Sequence, residues 1–181
     1  MKSSHFTQRN KQLHKTMIFF WRLVLLSIPL YIVLTLAINL GFMQNIVATQ
    51  SLWMFSLTGF TVAQDGPALT VGLENEAQQP FSFAISEDST GWKSMLFMFA
   101  LIFAVPDVHN KKRLLGLLFI PVVWAGNLLR IWAIVMIERS YGFQAAMVAH
   151  DYLWRIGLLV LVIGLWLIWL KYVKPISKKN K

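Results

Sequence analysis

The sequence contains no cysteine, so it can form no disulfide and has no thiol nucleophile. It also lacks a group of His, Asp and Glu residues at metal-ligand spacing, so we expect no metal ion, and no other cofactor is indicated. No small-residue cleavage site follows the first apolar block. Residues 1–16 are therefore interpreted as a retained cytoplasmic arm, and the helix after them as a signal anchor.

Acidic residues are scarce, with 8 Asp and Glu against 17 Lys and Arg, and the net charge is +9. The basic residues form short flanks beside apolar blocks. This pattern is typical of orientation signals in membrane proteins and not of a nucleic-acid-binding surface. We therefore expect contact with membrane lipid and no nucleic-acid partner.

Interruptions of the apolar blocks are also few: 56% of residues are hydrophobic and the mean hydropathy is +0.55. Blocks of about 16 to 24 residues are long enough to cross a bilayer as helices. The sequence predicts an all-α polytopic membrane protein, with residues 1–181 forming a single integral membrane domain. The predicted spans are residues 17–40, 91–105, 114–137 with a kink at Pro121, and 152–170.

Residues 46–62 are ambiguous, because polar residues dilute a short apolar stretch that could either span the membrane or lie flat. The arm with Arg22, a loop at 107–113 and a tail at 171–181 together hold 13 of the 17 Lys and Arg residues, and all three can face the cytoplasm. A span at 46–62 would place some of these basic segments outside. We therefore predict an amphipathic helix on the outer interface, and four spans in total.

Two polar segments are predicted to lie outside the membrane. Residues 63–88 are expected to form a small β-hairpin from Ala68–Val71 and Phe81–Ile85, joined by an acidic linker at Glu74–Gln79. Residues 138–151 are expected to be a short polar loop.

With this topology, three polar residues from different segments lie at the same membrane level. Ser89 stands at the outer end of the second span, Arg130 about 10 Å below the outer end of the third, and His150 just outside the fourth. An Arg within the membrane costs about 2.5–3.5 kcal/mol and often marks a functional site. The alternative for Arg130 is snorkelling to the headgroups, aided by Asn127.

Other polar residues of this region have simpler explanations. His150 could be an ordinary interfacial histidine, and Lys93 is expected to contact headgroups beside the site. Arg155 has Asp151 four residues earlier, so a structural ion pair is expected there.

The ordered set of motifs resembles the exosortase/archaeosortase family of membrane-embedded sorting enzymes. The set comprises Asp88-Ser89-Thr90-Gly91-Trp92-Lys93-Ser94, Pro106, Lys111-Lys112-Arg113-Leu114-Leu115-Gly116, Asn127-Leu128-Leu129-Arg130 and His150. The resemblance covers roughly residues 50–173. Only one predicted span precedes this region, whereas many family members have several. The chain therefore resembles a short form of the family.

The resemblance implies a cysteine transpeptidase or protease of the cell membrane, with its active site on the extracytoplasmic side. Its partners would be proteins with a C-terminal signal made of a short motif, a transmembrane helix and a basic tail. Carried over by position, Ser89 takes the place of the nucleophilic Cys, Arg130 that of the oxyanion-stabilising Arg, and His150 that of the general base. Arg155 is the alternative third residue, because some members have Arg there. The acceptor would be an amine, a lipid-linked group or water.

Ser89 is the main departure from the family pattern, since a hydroxyl is much harder to ionise than a thiol with a pKa of about 8.5. A Cys-to-Ser replacement that stops the enzyme before acyl transfer would explain it, and so would a natural serine or inactive homologue. We favour the first because the rest of the set is retained.

A non-catalytic scaffold that binds partner transmembrane helices is the alternative function. A serine intramembrane protease is a third, although the G-x-S-x-G surround is missing. The substrate motif and the oligomeric state stay open.

Overall fold

The computed structural model describes residues 2–36, 38–72, 80–152 and 156–173, with side chains described from residue 8 onward. Most of the described chain is helical, as predicted. The helices are α1 (Lys2–Thr35), α2 (Gly41–Leu57), α3 (Trp92–Ala104), α4 (Asn110–Leu117), α5 (Phe119–Tyr141), α6 (Phe143–Tyr152) and α7 (Leu158–Val173). The strands are β1 (Thr61–Asp65), β2 (Ala68–Gly72) and β3 (Phe81–Ala84), and a short 3₁₀ helix covers Glu87–Thr90.

Two helical stretches in the described part of the chain are long and apolar enough to cross a membrane, Gln8–Thr35 and Asn110–Tyr141. The apolar helices α3 and α7 have 13 and 16 residues. At about 1.5 Å per residue they measure about 20 and 24 Å, less than the hydrocarbon core of about 30 Å. The four-span arrangement therefore stays a prediction, in which α3 and α7 would need flanking residues to complete a crossing.

Helix α1 joins the predicted arm and first span into one continuous helix. It ends at Thr35, before the predicted end of the span at Leu40. No residue of its most apolar window is buried. Exposed side chains such as Phe20 and Trp21 suit a helix that lipid surrounds.

The predicted third span is interrupted near Pro121. Helix α4 ends at Leu117 and α5 begins at Phe119. Proline lacks an N–H and its ring crowds the carbonyl four residues earlier, which here belongs to Leu117. Helix α4 also begins at Asn110, so most of the predicted cytoplasmic loop at 107–113 is helical, and α5 continues past Ile137 to Tyr141.

The predicted hairpin is a three-stranded antiparallel sheet with strand order β1-β2-β3. The additional strand, β1, includes Thr61 and Val62, which lie within the interfacial helix predicted over residues 46–62. That helix corresponds to α2, which ends earlier because Thr58 caps it and Gly59 adopts a left-handed conformation with φ of 86°. The acidic linker at Glu74–Gln79 lies outside the described residues.

The predicted polar loop at 138–151 is also wrong, because α5 extends into it and α6 fills the rest. Gly142 separates the two helices with φ of 82°, a conformation that favours glycine. Helix α6 ends at Tyr152, and α7 begins at Leu158 and continues past the predicted end of the last span, Leu170, to Val173. The part of the basic tail after Val173 lies outside the described residues.

The chain divides into two compact units. The first contains Met1–Ile38, Lys93–Pro121 and Val162–Lys181. Within it, the Trp169 indole donates to the Lys112 carbonyl at 2.9 Å, and Lys15 forms an ion pair with Asp107 at 2.7 Å.

The second unit contains Asn39–Trp92 and Val122–Leu161. Its core joins one face of the sheet to helices α2 and α5. The buried members of that core are Val47, Ala48, Phe55, Leu69, Val71, Ile85, Ile131 and Val135.

Candidate functional site

Ser89 lies on the 3₁₀ helix that follows β3 in the second unit. Ser86 caps this helix: its hydroxyl oxygen accepts a hydrogen bond from the Ser89 backbone N–H at 3.2 Å. The two hydroxyl groups are also hydrogen-bonded to each other at 2.9 Å. The Ser89 side chain is therefore held at a fixed turn, with the Ser86 hydroxyl as its neighbour.

Gly91 ends the 3₁₀ helix in a conformation that only glycine adopts without strain, with φ of 80°. A Cβ atom at this position would lie 2.9 Å from Cγ of Asn127. The absence of a side chain thus serves two purposes. It permits the turn, and it lets Asn127 approach the backbone beside Ser89.

Asn127 and Arg130 from α5 both donate hydrogen bonds to the main-chain carbonyl of Ser89. The Asn127 Nδ2 donates at 2.8 Å and the Arg130 Nη2 at 3.3 Å. Because the two residues are three apart on the helix, they lie on the same face. Together they fix the Ser89 backbone against α5.

Arg130 is almost fully buried, with 5% of its surface exposed, yet most of its hydrogen-bonding groups have no acceptor. Among the described residues, its Nε and Nη1 atoms lack a partner, whereas Nη2 binds Ser89. Leaving buried donors of a cation unpaired is unfavourable. This arrangement can accept an oxyanion or another negatively charged group.

A cavity of about 250 Å³ opens beside Ser89 and Arg130, and its lining residues all belong to the second unit. His150 of α6 lines the same cavity. The remaining lining comes from β3 and the residue after it, from α5 and from α6, and is largely apolar. It consists of Phe81, Ser82, Phe83, Ala84, Ile85, Ile131, Ile134, Val135, Phe143, Ala146 and Met147.

Comparison with protein families gives a match that extends through most of the chain. The model described as Transmembrane exosortase (Exosortase_EpsH) matches residues 9–170. The chain belongs to the transmembrane exosortase family. Neither the curated proteins nor the solved structures contain a match.

Membership identifies this exosortase family member as a membrane protein and suggests a sorting enzyme of the cysteine transpeptidase or protease kind. The family acts on protein substrates that carry a C-terminal sorting signal. The resemblance found in the sequence motifs is thereby confirmed at the level of the family.

The geometry brings Ser89, Arg130 and His150 to one cavity, as the topology predicted, with Asn127 beside them. No hydrogen bond links His150 to Ser89 among the described residues.

Lys93 lies in the first turn of α3 and is not among the lining residues. Arg155 lies outside the described residues, and the roles of all these residues in a reaction stay predictions. Among the described residues, no cluster of three or more His, Cys, Asp or Glu side chains could hold a metal ion.

Two features of this exosortase site were not predicted from the sequence. The first is Ser86, although a serine followed by Glu87 and Asp88 is a recognisable helix-start signal. The second is the apolar wall of the cavity that α6 supplies, because residues 138–151 were expected to be a loop. The recurrence of Phe143, Ala146 and Met147 at helical spacing is the available signal for a helix with an apolar face.

Proposed function

We propose that this chain is a sorting enzyme that acts on the C-terminal signal of secreted or surface proteins, with its site on the extracytoplasmic side of the cell membrane. The observation that carries the proposal is the shared cavity. Ser89 is fixed there by two donors from α5, a buried guanidinium with open donors lies beside it, and a histidine lines the same space. This combination supports the roles of a nucleophile position, an oxyanion site and a proton carrier.

In the proposed reaction, a cysteine at position 89 supplies a thiolate, and His150 takes up its proton. The sulfur attacks the carbonyl carbon of the scissile peptide bond, and Arg130 stabilises the resulting oxyanion through Nε and Nη1. When the C–N bond breaks, His150 gives the proton to the leaving amine. A thioester remains, and an amine, a lipid-linked group or water attacks it and regenerates the thiol.

Ser89 would interrupt this reaction at its first step. Its hydroxyl is much harder to ionise than the thiol of a cysteine, and it is hydrogen-bonded to the Ser86 hydroxyl. We therefore propose that the chain with Ser89 binds a sorting-signal substrate without cleaving it. The same observation favours the second candidate function, a non-catalytic protein that holds the sorting signal of its partners.

The test compares three versions of the full chain: the chain as it is, Ser89→Cys and Ser89→Ala. Each is combined in membranes with a fusion protein that ends in a sorting motif, an apolar helix and a basic tail, and the cleavage products are separated by mass. We expect cleavage only with Ser89→Cys, and co-purification of intact substrate with the other two. If Ser89→Cys binds the fusion but never cleaves it, the scaffold is the better description.

Arg130 provides a further test in the Ser89→Cys chain. Lys at this position keeps the charge but loses the planar set of donors, so we expect cleavage to slow by about 10²- to 10³-fold. The matched control is Arg139→Lys, on the same helix but outside the cavity. If Arg130→Lys lowers the cleavage rate by less than about threefold, Arg130 does not stabilise the oxyanion.

A further inference from the structure

The cavity follows the edge of strand β3 and does not lie on one face of the sheet. Successive side chains of a strand point to opposite faces, so a cavity on one face would contact alternate residues. Here five consecutive residues, 81–85, line the cavity. A space that contacts every residue in turn runs along the strand's edge.

The hydrogen-bonding pattern shows which backbone groups point toward this edge. The Ile85 N–H donates to the Pro67 carbonyl at 2.9 Å, and Phe83 and Phe81 oppose Leu69 and Val71 in the same register. In an antiparallel ladder, hydrogen-bonded and non-bonded pairs alternate. The N–H and C=O groups of Phe81 and Phe83 therefore point to β2, whereas those of Ser82 and Ala84 point away from it.

No further strand pairs with this edge of β3 in residues 38–72, 80–152 and 156–173. An open edge with unpaired backbone groups is a template for another extended chain. The opposite wall of the cavity is apolar, with Ile134 of α5 and Phe143 and Met147 of α6 among its residues. Such a wall can receive the side chains of a bound strand while the edge binds its backbone.

The edge also leads to the proposed nucleophile position. Only Ile85 and the cap residue Ser86 separate the end of β3 from the 3₁₀ helix that carries Ser89. A chain paired with Ser82 and Ala84 would thus continue toward Ser89 and Arg130 within the same cavity. Recognition and reaction would use adjoining parts of one groove.

We infer that an extended segment of the protein substrate, next to its scissile bond, binds as a fourth strand along the free edge of β3. This inference rests on the proposed function for the identity of the occupant. The backbone of Ser82 and Ala84 provides affinity for any extended chain. The apolar wall selects apolar side chains at alternate substrate positions.

Replacing Ala84 with proline tests the edge and leaves the backbone hydrogen bonds between β3 and β2 in place, because it removes an N–H that points away from β2. In the Ser89→Cys chain, we expect Ala84→Pro to raise KM for the sorting-signal fusion about tenfold and to change kcat little. The control is Gln64→Pro, which in addition removes the side-chain hydrogen bonds of Gln64 with Thr49 and with the Gly66 carbonyl. By the same register, the Gln64 N–H points outward at the other edge of the sheet, away from the cavity.

A second experiment leaves the protein unchanged and modifies the substrate. In fusions made by peptide ligation, single backbone amides before the apolar helix are N-methylated one at a time. Strand addition predicts that binding weakens at every second amide, because alternate N–H groups face β3. A uniform effect, or none, would overturn the inference even if Ala84→Pro fails to fold.

The outcomes separate this inference from the proposed function. Cleavage by Ser89→Cys without the two-residue pattern of N-methyl effects would reject strand addition and leave the sorting reaction in place. Binding that shows the pattern, with no cleavage by Ser89→Cys, would reject the reaction and support the edge. If neither binding nor cleavage occurs, both proposals fail.

Discussion

At the scale of single residues, the site depends on contacts to the Ser89 main chain more than on contacts to its hydroxyl. Asn127 and Arg130 hold the carbonyl, and Gly91 allows Asn127 to approach. The sequence predicts that Ser89, Arg130 and His150 lie near one another, because the basic residues favour a topology that places all three at one membrane level. It could not predict the bonds to the Ser89 carbonyl, since these depend on how α5 packs beside the 3₁₀ helix.

Substituting Gly91 tests the close approach of Asn127. Gly91→Ala adds both backbone strain, about 1–3 kcal/mol for a left-handed residue, and the steric clash with Asn127. Gly142→Ala is the matched control, because Gly142 has nearly the same φ but no atom lies within 4 Å of an added Cβ.

We therefore expect Gly91→Ala to lower the free energy of unfolding more than Gly142→Ala does, as measured by thermal unfolding in detergent. Only Gly91→Ala should also weaken substrate binding. Equal losses of stability would mean that the contact with Asn127 does not constrain the turn.

At the scale of elements, the apolar helices were predictable, whereas the short helices α4 and α6 were not. Helices α1, α3 and α5 fall within or close to predicted spans, because apolar blocks are strong signals. Helix α6 was missed because its ten residues mix polar and apolar types in a segment read as a loop. Strand β1 was missed because Phe60 and Val62 extend the apolar residues of the predicted interfacial helix.

Helix α6 matters for the proposed reaction because it places His150 at the cavity. In the Ser89→Cys chain, replacing His150 with Ala should slow cleavage by about 10²- to 10⁴-fold if the imidazole moves the proton. The pH profile should also change, which a purely structural role would not produce. His109→Ala serves as the control, because His109 stands at the N-cap position of α4 in the first unit and its side chain makes no capping hydrogen bond. An unchanged pH profile in His150→Ala would leave the general base unassigned.

At the scale of the whole molecule, the family and the membrane setting follow from composition and motif order, whereas the number of crossings does not. Two helical stretches are long enough to cross a bilayer, whereas the apolar helices α3 and α7 are shorter. The predicted topology rests on basic residues, which bias loops toward the cytoplasm regardless of how long each helix is.

Labelling of single cysteines tests this topology directly, and the chain has no native cysteine to remove. A thiol reagent that cannot cross the membrane should label Asp65→Cys and Gly142→Cys in intact cells. It should label Asn110→Cys only after the cells are opened. Labelling of Asn110→Cys from outside would contradict the four-span arrangement and the membrane side assigned to the site.

The most direct measurement of the central claim, that position 89 is the nucleophile's position, is the intact mass of Ser89→Cys after mixing with the sorting-signal fusion. Because this variant has a single cysteine, a hydroxylamine-sensitive adduct with the mass of the substrate's N-terminal part can be a thioester only at position 89. Ser86→Cys is the control, since its hydroxyl lies 2.9 Å from that of Ser89 yet Ser86 does not line the cavity. We predict the adduct with Ser89→Cys alone. Cleavage without any adduct, or an equal adduct with Ser86→Cys, would contradict the assignment of position 89.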